Sequence, residues 1–245
     1  MSIAITLATA RRVLNQLRRD PRTLALLLVM PCVLLALLWW VLEDREPVFD
    51  QIGAPLLALF PFIMMFIVTS VTTLRERTTG TLERLLTMPV HKLDLLVGYG
   101  GAFGVVATVQ AGLASGLMIG LLDLDIAGPA WMLTLVAVLD ALLGMALGLF
   151  VSAFATTEFQ AVQFMPAFVL PQLLLCGLFV PRGQMPPVLD AISDVLPLSY
   201  AVDAMTEVTR HTELSSTIGV DLLVVGGAGL LALTLGAATL RRRTP

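Results

Sequence analysis

Arg75-Glu76-Arg77-Thr78-Thr79-Gly80-Thr81-Leu82-Glu83-Arg84-Leu85-Leu86-Thr87-Met88-Pro89 is a short charged island between two long apolar runs. Residues of this kind belong in water, so the island marks a membrane surface. Leu82, Leu85 and Leu86 fall at helical spacing, Glu83, Arg84 and Thr87 face away from them, and Pro89 forbids further helix. The segment therefore reads as one short amphipathic helix lying against a bilayer. An ordinary loop joining two spans has the same composition, and the rest of the chain decides between them.

Of the 245 residues, 57% are hydrophobic and only 13% charged, with a mean hydropathy of +0.90. Soluble domains carry about 25% charged residues. Apolar segments of about 20 residues recur along the whole length, the pattern of membrane-spanning helices and not of a barrel's alternation. No soluble domain of useful size lies between them. Cys32 and Cys176 both sit inside apolar runs, which argues against a disulfide or zinc site and for small core-filling thiols. The apolar run after the N-terminal arginines is too long for a signal-peptide core, and no small-residue cleavage site follows it, so the first span is expected to be retained.

Outward from the island, residues 2–20 place Ile3, Leu7, Ala10, Leu14 and Leu17 at alternating steps of four and three, with Arg11, Arg12, Asn15, Gln16, Arg18 and Arg19 mostly opposite. Such a basic amphipathic helix lies in the interface plane. Asp20-Pro21 ends it, and spans are predicted at 23–42, 53–74, 93–122, 131–154, 159–180 and 218–240. The third span carries Gly100, Gly104, Gly112, Gly116 and Gly120, and the fourth Gly144 and Gly148, at the four-residue spacing that lets helix backbones approach. Packing within the chain is preferred over a dimer seam for these glycines. Residues 181–213 are too polar to span and too apolar to be a free loop. Pro187 to Leu196 reads as a helix with Val188, Leu189, Ile192 and Val195 on one side. Ser199 is predicted to cap a second helix bearing Tyr200, Ala201, Ala204, Met205 and Val208, the pair forming a re-entrant hairpin.

With six spans and a cytoplasmic N-terminus, Arg11, Arg12, Arg18, Arg19, Arg22, Arg75, Arg77, Arg84, Lys92, Arg241, Arg242 and Arg243 share one side, twelve of the 15 basic residues. Glu43, Asp44, Glu46, Asp50, Asp123 and Asp125 fall on the other. The positive-inside rule then makes the 75–89 loop, both termini and the turn at Glu158 cytoplasmic, and the hairpin extracytoplasmic. The expected fold is an all-α integral membrane protein of about six transmembrane helices.

No G-x-x-x-x-G-K-[ST] phosphate cradle and no Gly-rich nucleotide turn occurs. His91 and His211 are solitary, and no serine or cysteine has a plausible histidine partner on its side of the membrane. Transport or scaffolding remains, with no cofactor, metal or catalytic residue expected in the chain and no nucleic-acid partner.

The ordered motifs R-E-R-T-T-G-T-L-E-R-L-L-T-M-P at Arg75 to Pro89, T-E-F-Q-A-V-Q-F-M-P at Thr157 to Pro166, L-P-Q-L-L-L-C-G-L-F-V-P at Leu170 to Pro181 and L-P-L-S-Y-A-V-D-A at Leu196 to Ala204 resemble the ABC type-2 exporter permeases. The likeness runs over nearly the whole chain and is greatest toward the daunorubicin-resistance-like branch. It implies a single transmembrane domain over residues 1–245, paired with a second permease copy or homologue and with two separate ATP-binding subunits that carry the ATP and magnesium. Residues 2–20 look like the family's connecting helix, and the segment around Gly80 to Met88 like its coupling helix, seated in a groove on the ATPase.

On that resemblance the ATPase-coupling residues are Arg75, Glu76, Arg77, Gly80, Thr81, Leu82, Glu83, Arg84 and Leu86, with Glu158 as a second contact. Glu76 and Glu83 are candidate polar docking contacts, Arg75, Arg77 and Arg84 candidate partners for ATPase carboxylates, and Gly80 a backbone requirement. Asp140, the one acid deep within a span, is a candidate contact for a cationic substrate or a hydrogen-bonded structural aspartate. The expected function is ATP-driven export of an amphiphilic or hydrophobic compound, a drug, antibiotic or lipid-like molecule, across a prokaryotic cytoplasmic membrane. Polysaccharide or glycolipid export is the alternative within the class. A secondary transporter would need ionisable residues along a pathway and internal repeats, and a membrane scaffold would leave any partner's ATP turnover independent of substrate.

Overall fold

The computed structural model describes residues 3–81, 92–213 and 215–239. Among them helix is the only regular secondary structure. The expected helix over Leu82, Glu83, Arg84 and Leu86 and the basic C-terminus lie outside the described residues.

Helix α1 (Ile3–Arg19) ends at Asp20, whose carboxylate accepts hydrogen bonds from the Thr23 amide at 3.2 Å and the Thr23 hydroxyl at 2.6 Å. Those bonds, the hydroxyl's first, hold the Asp20 carboxyl below its ordinary pKa. Asp20 thereby caps α2 (Pro21–Val41), with Pro21 in the first turn, where its missing N–H costs nothing. Glu46–Thr78 forms α3, a helix of 33 residues. At 1.5 Å per residue it is about 50 Å long, well beyond the ~30 Å hydrocarbon layer, so one end of it stands clear of the bilayer. Beyond it come α4 (Lys92–Gly120), α5 (Ala130–Val151), α6 (Glu158–Leu175), α7 (Pro187–Ser193), α8 (Pro197–Arg210) and α9 (Ser216–Thr239).

Helices α3, α4 and α5 form the centre, with α3 and α5 in the most extensive contact. Phe62, Phe66, Met65, Phe103, Leu133 and Leu143 are fully buried between them. The close approach is made by glycine: a Cβ at Gly144 would overlap the Phe62 carbonyl, and one at Gly148 the Phe66 carbonyl and the Thr69 hydroxyl. Thr69 uses that proximity to donate to the Met145 carbonyl at 3.2 Å. Helices α2 and α9 lie outside this centre and bury only 17% of their apolar windows, leaving the rest for lipid or other chains.

Several expectations change. Of the five third-span glycines only Gly104 packs against another helix, where a Cβ would meet the Leu142 side chain of α5 at 3.4 Å; one at Gly100, Gly112, Gly116 or Gly120 meets nothing within 4 Å. Among the described residues five helices are long and apolar enough to cross a membrane, namely α2, α3, α4, α5 and α9. The expected fifth span is α6, whose 18 residues include Gln160, Gln163 and Gln172. These lower its mean hydropathy, although a length of about 27 Å nearly matches the bilayer. Helix α1 buries Thr9, Val13 and Leu17 against α4 and leaves Ile3 and Leu7 exposed; it has two apolar faces, and the sequence showed them as one. Ser199 does not cap α8. Leu196 occupies that position with Pro197 after it, and the Ser199 hydroxyl is buried, accepting from Ser193 Oγ at 3.1 Å. The α7 stripe of Val188, Ile192 and Val195 points outward, 71%, 45% and 79% exposed.

Candidate functional site

Among the described residues, Arg12, Arg75, Glu76, Arg77 and Glu158 come together at one end of the bundle, where α3 emerges. Three ties fix this end. The Arg12 guanidinium of α1 forks onto Glu76, Nη1 to Oε1 at 3.3 Å and Nη2 to Oε2 at 3.1 Å. It also donates to the Tyr99 hydroxyl of α4 at 2.6 Å and lies 5.5 Å from that ring's centroid. The Tyr99 hydroxyl in turn donates to Glu76 Oε2. One residue earlier in α3, Arg75 Nε and Nη2 reach Glu158 Oε1 and Oε2 at 2.9 and 3.2 Å. Arg77 donates to the Ser152 carbonyl at the end of α5. Three successive residues of α3 are thus bound to α1 and α4, to α6, and to α5.

These ties differ in kind. The Glu76 side chain is 9% exposed and that of Arg12 29%, so their bidentate, charge-assisted bonds act in a partly dry setting where they are strongest. Arg75 and Glu158 are 60% and 51% exposed, and pairs of that sort contribute about 0–1 kcal/mol. The geometry also gives these residues partners within the chain. Glu76, expected as a docking contact, turns inward and is saturated by Arg12 and Tyr99. Arg75 and Glu158, expected to meet ATPase groups separately, meet each other. Arg12, Tyr99 and Ser152 were not among the predicted site residues. Tyr99 left a signal, being one of only two tyrosines in the chain and placed near the start of a span.

Past Thr78 the chain turns on Gly80, at φ +73, where a side chain would meet open space and only the left-handed backbone excludes most other residues. Its amide closes onto the Arg77 carbonyl at 3.2 Å. The turn that starts α6 is also built locally: Thr157 Oγ1 accepts from the Gln160 amide at 3.1 Å, and Gln160 Oε1 accepts from the Thr156 amide at 2.9 Å, close to a capping box. Beside α3, a cavity of about 290 Å³ is lined by Val13, Gln16, Asp20, Thr72, Arg75 and Glu76.

At the opposite end the acidic loops enclose a cavity of about 670 Å³ with Trp39, Glu43, Glu46, Asp50, Asp123 and Asp125 in its wall. The segment 181–213 folds over this end. Arg182 binds Asp194 and Asp203 and stacks 5.0 Å from the Tyr200 ring centroid. Burial pushes the Asp203 carboxyl up, against the pull of Arg182. The Ala127 and Gly128 amides donate to the Thr209 and Val208 carbonyls, joining the loop before α5 to the end of α8. Asp140 lies in α5, wholly buried, and neither of its carboxylate oxygens has a partner among the described residues. The cavities at the two ends are lined by other residues.

A multi-pass helical bundle with charge gathered at the protruding end of one long helix is the architecture of a membrane permease. Residues 4–209 match the ABC-2 type transporter family, and the chain belongs to that family. Among curated proteins it is similar to the probable multidrug ABC transporter permease YbhR of Escherichia coli (strain K12), 29% identical over 153 residues, which cover 62% of this chain and 42% of that protein. It is similar also to the linearmycin resistance permease protein LnrN of Bacillus subtilis (strain 168), 28% identical over 180 residues, covering 70% of this chain and 46% of that protein. The ABC transporter G family member 20 of Dictyostelium discoideum is 26% identical over 159 residues, 65% of this chain and 22% of that protein. The matches therefore span less than half the length of these relatives.

Proposed function

We propose that this chain is the membrane-spanning subunit of an ATP-driven exporter of amphiphilic or hydrophobic compounds, drug-like, antibiotic or lipid-like, powered by separate ATP-binding subunits and paired with a second permease copy or homologue. The observation that carries the reading is the family match over residues 4–209. The names of YbhR and LnrN, a probable multidrug permease and a linearmycin resistance permease, favour this substrate class. In this reading the basic end, with both termini, faces the cytoplasm of a prokaryotic cell. Residues 75–89 seat on the ATPase, Thr81, Leu82, Glu83, Arg84 and Leu86 supply the contact surface, and Arg75, Glu76 and Arg77 root that segment in the bundle. Displacement of the segment reaches the spans through these three residues, and ATP shifts the permease between states only by its differential affinity for them. Asp140 stands as a contact for cationic substrates, which its unpaired oxygens suit.

The test is ATP hydrolysis by the candidate ATP-binding subunit reconstituted in lipid with this chain, wild type against the double change Glu83→Ala and Leu86→Ala, with co-purification followed in the same samples. The reading expects turnover that depends on this chain and is uncoupled by the double change while the fold survives. An ATPase that never associates, or a variant that behaves as wild type, refutes it.

A further inference from the structure

The outward side of α1 carries a feature that coupling to an ATPase leaves unused. Ile3 and Leu7 are 75% and 63% exposed, and Arg11 and Arg18 continue their stripe at spacings of four and seven. Arg19 and Arg22, at the junction with α2, are exposed as well. None of these four arginines lies within ion-pair distance of a carboxylate among the described residues. The stripe adjoins the start of α2, a span that buries only 17% of its apolar window. The arginines therefore stand at the depth where a span meets the headgroups, with apolar side chains beside them reaching the acyl boundary. Exposed apolar residues flanked by cations that lack partners match one occupant in both polarity and charge, an anionic phospholipid leaflet.

The opposite flank of the same helix is bound to the coupling end. Arg12, next to Arg11 in sequence, makes the fork onto Glu76, and Glu76 lies four residues before the Gly80 turn. A change in how α1 sits on the leaflet moves Arg12 with it, because both belong to one helix, and Glu76 follows as long as the fork holds.

We infer that α1 is a docking surface for anionic phospholipid headgroups, and that the Arg12–Glu76–Tyr99 cluster passes its seating to the segment 75–89. The lipid site rests on α1 alone, while the link to turnover rests on the coupling role proposed above. The experiment has two arms. In the first, the full chain with a fluorophore at Ala8→Cys is reconstituted in phosphatidylcholine containing 30% phosphatidylglycerol, with the nitroxide quencher carried on one headgroup or the other. Quenching by labelled phosphatidylglycerol should exceed that by labelled phosphatidylcholine. The preference should drop roughly fivefold for each arginine replaced in Arg11→Gln/Arg18→Gln/Arg22→Gln at low salt, collapse in 0.5 M NaCl, and survive Arg→Lys changes at the same positions, since a leaflet reads charge and not the guanidinium fork. Equal quenching by the two lipids overturns the lipid site. So does quenching that disappears when the ATP-binding subunit is added, which would assign the patch to that protein. In the second arm, with the ATP-binding subunit present, wild-type turnover should differ at least threefold between vesicles with and without phosphatidylglycerol. The triple variant should lose that difference, and Glu76→Gln should lose it while keeping the lipid preference. Turnover that responds to the chain but is identical in both vesicles overturns the link. Turnover that never depends on the chain refutes the permease reading instead, and the quenching arm then decides the lipid site by itself.

Discussion

Replacing Arg12 by Gln removes the fork onto Glu76 and leaves the carboxylate, 9% exposed, with only the Tyr99 hydroxyl as donor. Breaking a fully buried ion pair by deleting one partner costs about 3–5 kcal/mol, most of it the stranded charge. Arg12 retains 29% of its side-chain exposure, so water reaches part of the site and about 2–3 kcal/mol is the expected cost here. Glu76→Gln strands the guanidinium less, since Arg12 can turn to solvent, and about 1–2 kcal/mol is expected from the lost charge-assisted bonds. With both changes made, nothing buried is left unpaired. The double variant should therefore cost about 1.5–3 kcal/mol less than the sum of the single changes, the non-additivity expected of residues in direct contact. The assay is reversible unfolding of the full chain in mixed micelles over a denaturing-detergent series, with Tyr99→Phe as a third corner. Additivity within about 0.5 kcal/mol would show that Arg12 and Glu76 do not interact in the membrane and that α1 and the root of segment 75–89 do not move together.

The glycine geometry makes a paired prediction: Gly148→Ala drives a methyl into the Phe66 carbonyl and Thr69 hydroxyl and should cost about 2–3 kcal/mol, whereas Gly112→Ala and Gly116→Ala, facing open space, should change the same unfolding measurement by less than about 0.5 kcal/mol in the isolated chain. Gly80→Ala should cost about 1 kcal/mol through its positive φ, with Gly80→Asn milder, and the loss should appear as faster proteolysis of the 75–89 segment at unchanged global unfolding. Asp140→Leu replaces two unpartnered buried oxygens and should raise stability by about 1–3 kcal/mol; a fall instead would reveal a partner for the carboxyl, and intact export of cations by Asp140→Asn would remove its substrate role. Arg75→Gln, at an exposed pair, should alter stability by no more than about 1 kcal/mol, so a large loss would mean that Glu158 is held in a drier site than this.

What the sequence made legible follows from which physics is local. Apolar run length needs no tertiary information, and the positions of α2, α3, α4, α5 and α9 were readable from it. The break at Asp20-Pro21 and the backbone requirement at Gly80 are equally local and were read as such, whereas the caps made by Asp20 and Thr157 were not. Side-chain partnership is not. Glu76 and Arg75 adjoin one another in an evidently charged segment, yet successive helical residues point about 100° apart, so one faces α1 and α4 while the other faces α6. The family resemblance pointed both toward the ATPase, because a linear motif does not show what stands across from each. The glycine repeats failed for a related reason. A four-residue spacing shows that a helix face is flat, and Gly144 and Gly112 share that signature, but only the position of α3 determines which face is covered.

The unequal strength of the ties at the basic end sets what can move there. Arg12 and Tyr99 hold Glu76 in a partly dry cluster, while Arg75 and Glu158 meet in water, where salt and competing carboxylates dissociate them easily. A force applied through residues 75–89 therefore meets little resistance at α6 and much more at α1 and α4. In the permease reading, α1, α3 and α4 shift as one unit and α6 is the helix they leave behind. The glycine contacts at Gly144 and Gly148 bind α5 into the same unit as α3, whereas α6 packs Val169, Met165 and Leu173 against the core and keeps Phe159, Leu170 and Leu174 largely exposed. In that reading the exposed Arg75–Glu158 pair is the tie that gives way first, because interfaces between packed elements switch between discrete arrangements where a uniformly bonded bundle would resist.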